Sequence, residues 1–414
     1  MKTLLKSVTI VAKGNPLNGK KKDILIEDGI ISKIEDSVTE KADEIIEGKN
    51  LHVSAGWFDM TVSFCDPGYE HKETLESGAQ AAMAGGFTGV GLLPETMPVV
   101  SGKSQVEYIK RKSEKLNIEI VPYGSLSSNF DGQNLSEFYD MHLSGARAFT
   151  DGYRAVNSEL LSRAMMYSKN SGGKIMVFPN DKSLSRGGVM HEGIESTKTG
   201  MKGMPAIAEE LQVQRDIKLA EFNDAALHFL GISTEEAVNS VRKAKKAGIK
   251  ITAQVNAANL LLDDSSLRDF DSNYKVLPVL RTKKDIDALI EGLNDGTIDC
   301  IVSAHLPQDT ESKLLEFEHA EFGMIALETA FATARTATAG KIKTEDLIEK
   351  ITGNPRTILG IKNPEIKTGE KANLTVFDPD LKWIFTENDI KSKSKNTPFI
   401  GKEFIGKAVR TFRF

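Results

Sequence analysis

The stretch GWFDMTVSFCDPGYEHKE, Gly56 to Glu73, gathers side chains with chemical potential: Asp59, Thr61, Ser63, Cys65 and Asp66. Each has a structural reading beside a chemical one. A cysteine nucleophile needs a base or a neighbouring positive charge to become a thiolate, and no histidine in the sequence is positioned to activate Cys65. Asp66 precedes Pro67-Gly68 and reads as a turn aspartate, and Asp59 as a structural one. Elsewhere, His142, His191 and His319 fall on helix or loop positions, His228 begins a strand, and His71 opens a helix. None pairs as His-x-His or at i, i+4 spacing, so no zinc site is visible in the histidine pattern.

The elements that must hold these groups follow from periodicity. GWFDMTVSF is a strand, HKETLESGAQAAMAGG a helix closed by Gly85-Gly86, and FTGVGLLP the next strand. The same strand–helix unit recurs through IEIVPYG, ARAFTDG, KIMVFPND, AALHFLGIS, KITAQVN and TIDCIVSAHLP. About eight such units predict a parallel (β/α)₈ TIM barrel over residues 55–359. An open doubly wound sheet is the alternative, but no glycine-rich phosphate loop follows the first strand. Both ends are β-rich. LLKSVTIVAKG and DILIEDGIISKIED flank a hairpin signal at Asp28-Gly29, and KANLTVFDPDLKWIF and EFIGKAVRTFRF read as strands with a turn at Asp378–Asp380. Residues 1–54 and 360–414 are therefore expected to form one composite β-sandwich domain.

Bulk properties narrow the function classes. The chain has 414 residues, 40% hydrophobic and 27% charged, with a formal net charge of −5. That balance argues against a nucleic-acid or anionic-membrane partner. The lysine runs at Gly19–Asp23 and Lys391–Lys395 read as solvated loops. Two cysteines, Cys65 and Cys300, in no metal-type spacing fit a reducing cytoplasm. No run approaches the ~18 apolar residues of a membrane span.

The order of strand ends then becomes specific. DPGYEHKETLESGAQAAMAGGFTGV, LPETMPV, GARAFTDG, GGVMHEG, HFLGIST, NYKVLPVLRT, EGLNDGTIDCIVSAH and FGMIALETA follow one another as in the dihydroorotases of the amidohydrolase superfamily, and the chain resembles that family over its whole length. The resemblance implies the barrel and β-sandwich above. It also implies a dimer and, in active members, one or two zinc ions that activate a hydroxide to interconvert dihydroorotate and carbamoyl aspartate.

Carried over position by position, the resemblance exposes a deletion. The family's first-strand histidines fall on Thr61 and Ser63, and its substrate-gripping arginine on Cys65. The later metal-binding histidines fall on Phe178 and Gly231, and the catalytic aspartate on Ala304. Only the bridging aspartate persists, as Asp151. The substrate contacts fall on Met97, Leu277 and Gln308. Losing one second-layer partner of a metal ligand typically costs ~10–100-fold in affinity or activity. Losing four imidazoles and the base should cost far more, since phenylalanine, glycine and alanine offer no donor.

Near the barrel mouth, Asp59, Cys65, Asp66, Asp151, Asp181 and His305 remain as polar candidates. His305 lies one residue beyond Ala304, so strand alternation turns it to the other side. Asp151, without a metal, is expected to be hydrogen-bonded or paired with Arg147 or Arg154. The expectation is a non-catalytic dihydroorotase-like protein that binds no zinc or other cofactor, with a structural or regulatory role, aspartate transcarbamoylase being the partner the family analogy suggests. Two rivals stand: an active cyclic amidohydrolase, and a binding module whose mouth, lined by Phe178, Met97 and Leu277, takes an apolar or neutral molecule.

Overall fold

The computed structural model describes residues 1–414. Seventeen strands are formed: β1 (Lys2–Ile10), β2 (Lys21–Glu27), β3 (Ile30–Glu35), β4 (Glu44–Ile46), β5 (His52–Ala55), β6 (Trp57–Val62), β7 (Phe87–Leu92), β8 (Glu119–Pro122), β9 (Ala148–Phe149), β10 (Lys174–Val177), β11 (Met190–His191), β12 (Gly203–Met204), β13 (Leu227–Phe229), β14 (Ile251–Asn256), β15 (Cys300–Val302), β16 (Asn373–Ile384) and β17 (Glu403–Arg413). Parallel ladders run β6-β7-β8 and β9-β10-β13-β14-β15. Two parallel bridges, Gly124 to Phe149 and Val62 to His305, join the ladders into a closed ring, which is the (β/α)₈ barrel.

Helices follow the strands and begin where the sequence supplies caps. Thr74 caps the helix Leu75–Ala84, with Ser77 completing a reciprocal box. The helix thus starts after His71, which lies in the preceding turn; the cap, and not the first polar residue, sets the boundary. Thr234 caps Glu235–Lys246, with glutamates in its first turn and lysines in its last, matching the helix dipole.

Strands from both ends of the chain share one sheet, ordered β17-β16-β5-β1-β2-β3 with β4 beside β1, and build the β-sandwich part. Asp28 and Gly29, at φ 46° and 82°, make the hairpin turn between β2 and β3. At Asp378–Asp380 there is no chain reversal: β16 runs through as one strand with a register irregularity there, because Asp378 Oδ1 accepts from the amides of Asp380 and Leu381. Lys21–Asp23 likewise belong to β2 and are not loop. Trp57 is fully buried against Phe87, Phe331 and Phe377, tying the barrel's outer layer to β16.

The barrel interior is filled. Phe58, Met60, Tyr123, Met176, Phe178 and Leu230 pack into one buried cluster inside the ring. Such a core is rigid, so side chains at its upper layer are held in defined places.

Candidate functional site

Chemistry in this architecture belongs at the C-terminal strand ends. Midway along β6, Asp59 is fully buried and accepts from the amides of Thr61 (2.9 Å) and Ser303 (2.7 Å), stitching β6 to the end of β15. Burial pushes its carboxyl up to about 6. Asp59 is structural, as expected from the sequence.

Thr61 is committed to a buried polar chain that sequence reasoning missed. Gln254 Nε2 donates to Thr61 Oγ1 at 2.8 Å, Gln254 Oε1 stands 3.1 Å from His228 Nε2, and His228 Nδ1 meets Thr252 Oγ1 at 2.9 Å. His228 has 0% exposure, and burial drives its pKa down to about 3, so it is neutral. The signal was present in alternation: Thr252 and Gln254 are two apart on β14, and His228 pairs with Thr252 across the ladder.

Cys65 is buried, at φ 59°, with Ser63 Oγ 3.7 Å from its sulfur. Burial pushes its thiol up to about 12, the opposite of nucleophile activation. Asp66 accepts from Lys112 Nζ (2.6 Å) and the Leu75 amide (3.1 Å), anchoring the turn. Asp181 closes a local turn with Ser183 and Leu184, away from the mouth.

Asp151 is buried and accepts from the amides of Leu126 and Ser127, both at 2.8 Å, and from Ser127 Oγ at 2.5 Å. The expected hydrogen bonding is found and the expected cation is not. Arg154 pairs with Glu95 at 2.6 Å instead, and Arg147 makes no ion pair.

Phe178 and Gly231 are the positions onto which the resemblance puts the family's later histidines. Phe178 lies under the mouth, not along its wall, and meets Tyr153 edge-on at 5.3 Å. Gly231 sits at φ 67°, where a Cβ would come within 2.9 Å of Pro278 Cδ and 3.2 Å of Asn256 Oδ1. Ala304 is also left-handed, at φ 54°, beside the interior cluster.

His305 is buried. Its Nδ1 accepts from the amides of Ala326 (3.1 Å) and Leu327 (3.3 Å), and its Nε2 lies 3.4 Å from Glu73 Oε2. Burial opposes ionisation of Glu73, but neighbouring His305 and the hydroxyls of Ser392 and Ser77 outweigh it and hold the carboxyl below its ordinary value. Glu73 also accepts from Ser392 Oγ and the Lys393 amide (3.0 Å), and Ser394 Oγ donates to Lys72 O (2.7 Å). Lys391–Lys395 is therefore a strap bound across the barrel top, not a solvated loop, because Ser392 and Ser394 face inward between the lysines. His191 lies on β11, not on a helix or loop, and its Nδ1 stands 3.0 Å from buried Arg281 Nη1.

Above these groups opens a cavity of about 710 Å³, lined by Ser63, Cys65, Met97, Leu277 and Gln308 among others. Of its charges, Lys72 Nζ donates to Gln308 Oε1 at 2.7 Å and Arg154 holds Glu95, while the Glu321 carboxylate makes no hydrogen bond or ion pair. A zinc centre needs three or more converging His, Cys, Asp or Glu donors. No such group exists in the molecule. Asp151 spends both carboxylate oxygens on Leu126 and Ser127. The residues present do not fit a zinc site.

Residues 51–237 match the family model described as Dihydro-orotase-like. A protein named dihydroorotase from Syntrophus aciditrophicus (strain SB) is 38% identical over 99% of this chain and 97% of its own length. One from Ruminiclostridium cellulolyticum is 39% identical, over 93% of this chain and 91% of its own. Among solved structures, the L-hydantoinase of Arthrobacter aurescens superposes with a TM-score of 0.86 at 22% identity, covering 99% of this chain and 94% of that one. The dihydropyrimidinase of Brevibacillus agri NCHU1002 gives 0.83 at 19%, covering 100% and 95%. The structural likeness establishes the barrel-plus-sandwich fold. With sequence identity running end to end along relatives of that name, the chain belongs to the dihydroorotase family.

Proposed function

We propose that this protein is a dihydroorotase-family member that does not hydrolyse cyclic amides and that acts through association. One observation supports the reading: Thr61, Ser63, Phe178, Gly231 and Ala304, the positions onto which the resemblance puts the family's metal donors and base, carry no imidazole or carboxylate. A protonated thiol at Cys65 and carboxylates consumed by backbone amides at Asp59 and Asp151 offer no substitute nucleophile or base.

The partner proposed is aspartate transcarbamoylase, which supplies the carbamoyl aspartate that the family consumes. What supports it is membership of a pyrimidine-synthesis family together with a scaffold whose turns and caps are intact. Full-length protein co-expressed with the transcarbamoylase of its own organism is expected to co-elute as a stable complex in size-exclusion chromatography. Separate elution, with the transcarbamoylase fully active alone, contradicts the association. Supplied with zinc, the protein is expected to leave dihydroorotate unhydrolysed above the buffer rate. Turnover would restore the rival reading of an active cyclic amidohydrolase, which end-to-end similarity to named dihydroorotases favours.

A further inference from the structure

A groove of about 380 Å³ opens at the end of the barrel where the strands begin, away from the mouth. Five segments build it: the end of the helix Lys103–Ser113, the start of β8, the turn Gly145–Arg147 before β9, Gly360–Lys362 after the helix Gly353–Leu359, and Arg413 on β17. Each brings charge. Lys110, Arg147, Lys362 and Arg413 line the groove with Glu114 and Glu119, and none of the six makes a side-chain hydrogen bond or an ion pair. Arg147 is exposed and Arg413 half-buried, so both meet solvent there. Lys110 lies over Gly145, at φ 115°, where a Cβ would come within 2.8 Å of its Nζ.

An exposed lysine is well solvated without a partner, so Lys110 and Lys362 decide little by themselves. The arginines decide more. Nine arginines of this chain sit in ion pairs, Arg154 with Glu95 and Arg335 with Asp380 among them. The others are Arg147, Arg186, Arg356 and Arg413, and all but Arg186 lie at this end of the barrel. Arg356 is sealed in the protein and offers the groove no contact, only charge. Burial lowers its pKa to about 10, with Glu119 opposing the shift and Arg413 adding to it, so it stays charged at neutral pH.

Like charges gathered in one place repel one another and attract an anion. In the groove, four cations against two carboxylates leave an excess of two positive charges, in a chain whose net charge is −5. A phosphate monoester carries about −1.5 to −2 at neutral pH and matches that excess. Guanidinium forks receive phosphate oxygens through paired hydrogen bonds, and ammonium groups add point charges. Glu114 and Glu119 disfavour a nucleic-acid strand, whose repeating phosphates would meet them. We propose that this groove binds a small phosphorylated molecule, its phosphoryl group held by Arg147 and Arg413 with Lys110 and Lys362 beside it. The site is independent of the mouth and of the proposed partner.

The test uses the full-length protein and glycerol 3-phosphate, with acetate as a control at the same ionic strength. Calorimetric titration should show saturable binding of glycerol 3-phosphate, and a concentration 100 times Kd should raise Tm by about 3 °C. Acetate should bind at least about tenfold more weakly. Arg147→Gln and Arg413→Gln should each weaken binding about tenfold, the effect of losing one charge-assisted contact. Arg186→Gln, which removes an unpaired arginine elsewhere, should leave binding unchanged. If Arg413→Gln disturbs β17, Lys362→Gln on its exposed loop replaces it, with a loss of at least about threefold expected. Absence of saturable glycerol 3-phosphate binding overturns the proposal. So does binding that acetate equals, that the groove substitutions leave intact, or that Arg186→Gln weakens as much, which would mark a general response to surface charge.

Discussion

At the scale of single residues, the proposed loss of metal ligands coincides with backbone that would not readily take them back. Gly231 shows this best. Histidine there would need a left-handed backbone, unfavourable by roughly 1–2 kcal/mol, and would strike Pro278. Gly231→His is therefore expected to destabilise the fold by about 2 kcal/mol or more in denaturant titration, without gaining zinc affinity; a neutral effect on stability contradicts the packing argument. Cys65 offers a second check. With its thiol pushed up to about 12, it should stay unmodified by a thiol reagent in the native protein at pH 8 and react at once in denaturant. Rapid native labelling would show an activated cysteine. His228 gives a pH dependence. Its folded pKa, about 3, lies below the ordinary 6.5, so the unfolded chain binds the extra proton between those values. Stability is complete above about pH 6.5 and falls on acidification toward pH 3, by up to ~1.4 kcal/mol per pH unit. A His228→Gln variant should have a flatter acid limb than the parent; an unchanged slope assigns the acid sensitivity elsewhere.

At the scale of elements, strand–helix alternation was legible because period-2 and period-3.6 patterns are local. That Thr61, Ser63, Phe178, Gly231 and Ala304 bring no imidazole or carboxylate was legible once the resemblance said which strand-end positions to read. Partners were not. The Thr61–Gln254–His228 chain depends on ladder register between β6, β13 and β14, and Asp151 found Ser127 and not an arginine through the placement of a loop. The strap at Lys391–Lys395 was hidden by composition: the lysines suggested solvent, whereas Ser392 and Ser394 alternate inward to Glu73 and Lys72 O. Glu73 is its keystone. Glu73→Gln should cost about 1–3 kcal/mol and speed amide exchange at Lys391–Lys393 above that of the parent. Unchanged exchange would mean that Glu328, which accepts from the Lys391 and Ser392 amides, holds the strap alone.

At the scale of the whole molecule, a packed barrel, a sheet drawn from both chain ends and a strap over the top make one body. Phe178 and Tyr153 pack edge-on in the upper interior. The most direct measurement is zinc binding. Protein purified without chelator, dialysed against micromolar zinc and analysed for metal, is expected to hold far less than one zinc per chain and to show no dihydroorotate turnover. One or two tightly held zinc ions per chain, with turnover abolished by a chelator, would contradict the account.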